Sequence, residues 1–68
     1  MEREPYVVFS IRNPKRWANG FATDWQAARV EGAKHLGIRI EDCWATVVRD
    51  GETSEVAWKR GAKEKGGG

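Results

Sequence analysis

The stretch TDWQAARVEGAKHLG, Thr23 to Gly37, carries the start and the stop of one helix in its residue types, and whatever the chain becomes must be built around it. Thr23 and Gln26 fit a capping box, in which the Thr23 hydroxyl accepts from the Gln26 N–H and the Gln26 side chain reaches back. Asp24 stands where the positive end of the helix dipole favours an acid. Gly37 suits a left-handed position just past the end, with Ile38 set to touch Ala33 in a Schellman stop. The spacing predicts a helix over 24–36, with Trp25, Ala28, Gly32, Ala33 and Leu36 on one side and Gln26, Val30, Glu31 and Lys34 largely on the other. Gly32 costs about 1 kcal/mol of helix propensity, which points to a close approach to a sheet. Arg29 projects among the apolar members and is expected to snorkel at the core margin.

Before this helix, Tyr6 to Arg12 is rich in β-branched and aromatic residues and reads as a strand. Val7, Phe9 and Ile11 share one face, and Tyr6, Val8 and Ser10 the other. Asn13-Pro14 ends it. Asn19-Gly20 is a tight-turn signal flanked by Trp17 and Phe21, so a short second strand is expected within 16–22. After the helix, 43–49 and 53–59 read as a hairpin about Asp50-Gly51. Its register is open: a two-residue loop puts Cys43, Ala45 and Val47 with Val56 and Trp58, whereas a three-residue loop puts Trp44, Thr46 and Val48 there. The expectation is one α+β domain over 1–60, of β-(β)-α-β-β order, with one helix on a three- or four-stranded, mainly antiparallel sheet. Residues 61–68, GAKEKGGG, are expected to form a flexible basic, glycine-rich tail.

A chain of 68 residues buries only about 60% of its unfolded surface, so four Trp must supply much of the packing. No apolar run approaches the ~20 residues of a membrane span, and no membrane role is expected. MEREP precedes a few apolar-leaning residues without a small-residue cleavage site, so no secretory leader is expected. The single Cys43 cannot form an internal disulfide, which fits a reducing cytoplasm.

The net charge of +2 is unevenly spread: 12–23 and 59–65 each carry +3, and the remainder carries −4. RNPKRWANGF, Arg12 to Phe21, therefore stands out, with three cations, two large aromatics and no acid. Arg12, Lys15 and Arg16 are the residue types that neutralise phosphates, and Trp17 or Phe21 one that stacks on an unpaired base. Lys59 and Arg60 would extend the footprint. The bland alternative folds Trp17 and Phe21 inside and leaves ordinary solvated cations. Three phosphate contacts give weak, salt-sensitive binding unless a homodimer doubles them.

No catalytic constellation is visible. Cys43 and His35 are the only thiol and imidazole, without metal-ligand spacing. Cys43 reads as a packing residue, and His35 as a partner of the helix dipole. Glu41-Asp42, Asp50, Glu52 and Glu55 read as solvated acids at element ends. No phosphate-cradling glycine loop occurs, and neither an enzyme nor a cofactor is expected.

The leading expectation is a small non-enzymatic nucleic-acid-binding protein using Arg12, Lys15, Arg16, Trp17, Lys59 and Arg60. The alternative is a protein-interaction module, accessory or inhibitory, anchored by Trp17, Phe21 and Trp44. A third rests on resemblance. The β-β-α-β-β order, the Asp50-Gly51 hairpin and the terminal Gly66-Gly67-Gly68 resemble the ubiquitin-like β-grasp carriers, including bacterial sulfur carriers, which implies a terminal carboxylate activated by adenylation. This tail departs from that pattern in having three glycines preceded by Lys63-Glu64-Lys65, and the 38–42 link is short. Leu36 to Gly51, LGIRIEDCWATVVRDG, is similar to KH-like β-α-β-β modules such as the Jag N-terminal module, without the glycine-rich segment expected after them.

Overall fold

The computed structural model describes residues 2–65 in the order strand β1 (Glu4–Ser10), strand β2 (Trp17–Ala22), helix α1 (Trp25–Leu36), a one-turn 3-10 segment (Ile40–Asp42), strand β3 (Cys43–Val47) and helix α2 (Ser54–Lys65). The sheet order is β2-β1-β3, with β1 antiparallel to both neighbours. β2 and β3 are therefore parallel to each other, and α1 is the crossover between them. The α+β class and the antiparallel sheet agree with expectation.

β1 is central and covered on both faces. Every residue from Tyr6 to Ser10 is buried. Its continuous apolar run, rather than a polar alternation, is the sequence trace of that two-sided burial. Tyr6 and Val8 pack with Ala28, Ala33, Cys43 and Ala45 under α1. A Cβ at Gly32 would lie 2.6 Å from the Val8 Cβ, which is the close approach that the helix-breaking residue pointed to. On the opposite face, Gly61 of α2 sits over Phe9 and Thr46.

Three local expectations are corrected. Asn19-Gly20 is not a turn; it lies inside β2, paired with Val7 and Tyr6. The chain reverses instead at 11–16, where the Arg16 N–H donates to the Asn13 carbonyl (2.9 Å) and Pro14 occupies the turn position that its fixed φ suits. The α1 cap is Asp24, not Thr23: Asp24 has extended backbone and its carboxylate accepts from the Ala27 N–H at 2.8 Å. The stop is as expected, with Gly37 at φ 69° and the Ile38 N–H donating to the Ala33 carbonyl (3.0 Å).

The third correction is the largest. Residues 53–59 do not pair with β3; they open α2, which continues through the supposed tail to Lys65. The Asp50-Gly51 turn exists, with Gly51 at φ 84° and the Glu52 N–H donating to the Arg49 carbonyl (3.0 Å), but it delivers the chain into a helix. Thr53 caps that helix, its hydroxyl accepting from the Val56 N–H at 3.2 Å. Ala57 and Gly61, four apart, are its buried stripe. The β-β-α-β-β order behind the resemblance to the carriers is therefore not the observed order. Within 61–68, residues 61–65 are helical, and Gly66–Gly68 lie outside the described residues. The register question dissolves too: β3 pairs with β1, placing Cys43 and Ala45 in the α1 core, with Thr46 under α2.

Candidate nucleic-acid interface

The two basic segments, remote in sequence, meet. Trp17 at the start of β2 stacks on Trp58 of α2, with ring centroids 5.0 Å apart and an interplanar angle of 10°. The Trp58 indole N–H donates to the Pro14 carbonyl at 2.7 Å. The first contact joins β2 to α2, and the second joins the β1–β2 loop to α2. Trp17 is thus neither fully core nor free: it is half-buried, aimed at α2. Sequence reasoning missed Trp58 as a site residue because a strand assignment for 53–59 left it without a place beside the loop.

Around this stack the cations differ in what holds them. Lys15 is exposed. Arg12 is exposed and makes an ion pair with Asp42 at 3.4 Å. Lys59 is exposed and pairs with Glu55 one turn back on α2 (3.2 Å), and Lys63 continues the same outer row. The Lys59–Glu55 pair is exposed on both sides and worth little, so a phosphate can replace Glu55 at small cost, whereas Asp42 is half-buried and shared with Arg39.

Two expected site residues are bonded within the chain, Arg16 while remaining exposed and Arg60 while half-buried. Arg16 donates to the Leu36 carbonyl at 2.6 Å, closing the C-terminal end of α1. Arg60 is a staple between α2, β3 and the turn before α2. Its guanidinium grips Glu52 with Nε–Oε2 and Nη2–Oε1 distances of 2.9 Å, and also donates to Thr46 Oγ1 (3.1 Å) and the Val47 carbonyl (2.7 Å). This grip, with the Arg49 N–H, holds the Glu52 carboxyl down at about 2. The same hydrogen bonds push the Arg60 guanidinium up.

The anchors named for a protein partner separate as well. Trp44 is half-buried, packed edge-on against Trp25 (5.0 Å) with the Lys65 ammonium 4.4 Å from its ring centre. Arg29 lies 5.3 Å from the Trp25 ring centre and 6.0 Å from that of Trp44, and is bonded to backbone carbonyls rather than to an acid. Phe21 is 69% exposed, so it is not folded into the core.

Cys43 is fully buried, and burial pushes its thiol up against the lowering effect of Arg29. His35 is exposed on α1. Among the described residues, no three His, Cys, Asp or Glu side chains gather as metal ligands, and no helix is long and apolar enough to cross a membrane. No protein-family model, curated protein or solved structure matches this chain.

Proposed function

We propose that this domain is a non-enzymatic nucleic-acid-binding module whose contact surface is the β1–β2 loop together with the outer face of α2. The observation that carries the reading is the Trp17–Trp58 stack with its Pro14 bond, because it sets the two basic segments beside one another. Arg12, Lys15, Lys59 and Lys63 contact phosphates, and the exposed margin of the stacked indoles takes an unpaired base. Arg16 and Arg60 hold the surface in shape and do not contact the ligand.

Four phosphate contacts on a single strand give a log–log salt slope of roughly −3, so affinity falls about 50-fold between 50 and 200 mM salt. Titration of labelled single- and double-stranded DNA and RNA at those two concentrations tests this. The charge reversals Lys15→Glu and Lys59→Glu should flatten the slope, while Lys34→Glu on α1 should leave it unchanged. Affinity that does not respond to salt, or that Lys34→Glu weakens as much, would refute the reading.

The exposure of Phe21 favours a protein contact at β2 in addition, whereas Trp17 and Trp44 are engaged within the chain. The carrier reading depends on Gly66–Gly68, outside the described residues.

A further inference from the structure

The two edges of the sheet are finished differently. At β3, the Ile11 N–H donates to the Asp42 carbonyl (2.8 Å) and the Val48 N–H to the Pro5 carbonyl (2.9 Å). By the alternation of an antiparallel ladder, Cys43, Ala45 and Val47 turn their carbonyls away from β1. Each of those carbonyls accepts from a side chain: Cys43 from Arg29 Nε (2.8 Å), Ala45 from Trp25 Nε1 (2.8 Å) and Val47 from Arg60 Nη2 (2.7 Å). The acceptors that an added strand needs are occupied.

At β2, the Ser10 N–H donates to the Arg16 carbonyl (3.0 Å). The same alternation turns the N–H and C=O groups of Trp17, Asn19 and Phe21 outward. Among the described residues, no side chain caps them. The strand, WANGFA, contains no charge and no proline, the usual devices that blunt an edge. α2 lies mainly over β1 and β3 and meets β2 through side chains, Trp58 stacking on Trp17 and the Ser54 hydroxyl accepting from the Asn19 side-chain amide (3.0 Å), which leaves the outward backbone groups of β2 unbonded. Beneath α1, that margin borders an open groove of about 220 Å³ floored by Tyr6, Val8, Ala18, Ala22, Ala28 and Gly32.

We propose that β2 pairs antiparallel with β2 of a second copy of this chain, in a two-fold register centred on Asn19. The strand suits itself in that register. Trp17 falls opposite the partner's Phe21 on the α2 face, an aromatic cross-strand pair that covers the exposed phenyl ring. Ala18 falls opposite the partner's Gly20 on the α1 face, where small residues leave room for two helices. The outward groups of Trp17, Asn19 and Phe21 supply about six backbone hydrogen bonds across the seam. The two-fold axis is perpendicular to the sheet, so both α2 helices lie on the same side of one continuous sheet. Their basic outer faces then stand side by side, doubling the phosphate contacts. The pairing itself rests on the sheet edges and stands without the nucleic-acid reading.

Sedimentation equilibrium from micromolar to millimolar protein, without nucleic acid, tests it. The expected result is a concentration-dependent rise from the 7.7 kDa monomer to twice that mass. Phe21→Lys places a charge on the edge and should weaken association about tenfold or more while the far-UV circular dichroism is kept. Gly20→Lys, where an added Cβ meets nothing within 4 Å, should do the same and guards against misfolding of the first variant. Isotope-filtered NOEs in a mixed-label sample should connect Phe21 of one copy to Trp17 of the other. A monomer throughout the range, or a dimer that survives both lysines, overturns the proposal. The monomer result, joined to capture of an extended peptide at β2, would assign the edge to a foreign strand instead.

Discussion

Gly61→Ala asks whether α2 is clamped to the sheet, and the sign of its effect is the answer. On an unpacked helix the change stabilises by about 1 kcal/mol, because alanine restricts the unfolded chain and favours the helix. Here the new Cβ would lie 2.7 Å from Thr46 Cγ2 and 3.2 Å from both Thr46 Cβ and Phe9 Cε1. Thr46 cannot swing away cheaply. It is β-branched, and its hydroxyl accepts from Arg60 Nη1 at 3.1 Å. Phe9 is fully buried and equally fixed. Forcing a methyl group into such a contact costs roughly 1–3 kcal/mol, which outweighs the propensity gain and leaves a net loss of about 1 kcal/mol. In a domain of this size that is a fall of about 4–8 °C in Tm. Thr46→Ser deletes the nearest methyl and keeps the hydroxyl. In that background Gly61→Ala should become neutral or stabilising, a coupling of about 1–2 kcal/mol in a double-mutant cycle read by urea denaturation. A stabilising Gly61→Ala in the wild-type background would refute the packing of α2 on Phe9 and Thr46.

Asp24→Ala should cost about 1 kcal/mol by removing the bond to the Ala27 N–H, whereas Thr23→Ala should change stability little; thermal melts of the two variants separate these outcomes. The Glu52 carboxyl ordinarily titrates near 4.5 and is held at about 2 in the fold, so its contribution is complete above 4.5 and is lost as pH falls from there toward 2. Glu52→Gln should therefore be less stable than wild type near neutrality, and the gap should close across that acid window when both are denatured with urea at a series of pH values. A gap that persists at the bottom of the window would contradict the Arg60 grip as its source.

Much of the fold is legible from local chemistry. Gly37 and Gly32 each announce a physical need, one for a left-handed backbone and one for a close approach, and both needs are met. Tyr6 to Ser10 reads correctly as a strand, but the expectation of one helix on the sheet leaves its second face without the cover that α2 provides. The error in the second half arises from two signals that compete there. Asp50-Gly51 beside Val56-Ala57-Trp58 reads as a hairpin, while Thr53 as a cap, the spacing of Ala57 and Gly61, and the Glu55–Lys59 and Arg60–Glu64 pairs read as a helix. The helix wins because the second face of β1 needs a cover and because Arg60 can then grip Glu52 across the turn.

The proposed site is legible only in part, for the same reason. Charge counting finds both basic segments, and Arg12, Lys15 and Lys59 are where a ligand can reach them. It cannot distinguish a solvated arginine from one bonded to a carbonyl, as Arg16 and Arg60 are. Nor can it show that Trp58 joins the segments, since that follows from the α2 packing alone. The edge-capping roles of Trp25 and Arg29 are likewise tertiary, because they depend on which carbonyls β3 turns outward.

We propose above that the β1–β2 loop and α2 form one binding surface about the Trp17–Trp58 stack. Its most direct test is a backbone and indole ¹H–¹⁵N titration of the full chain with a short single-stranded oligonucleotide at low salt. Coincident shifts are expected for Arg12, Lys15, Lys59, Lys63 and the indoles of Trp17 and Trp58, with Gln26, Val30 and Lys34 of α1 unmoved. Shifts confined to α1, or no shifts at concentrations that saturate a weak site, would contradict it.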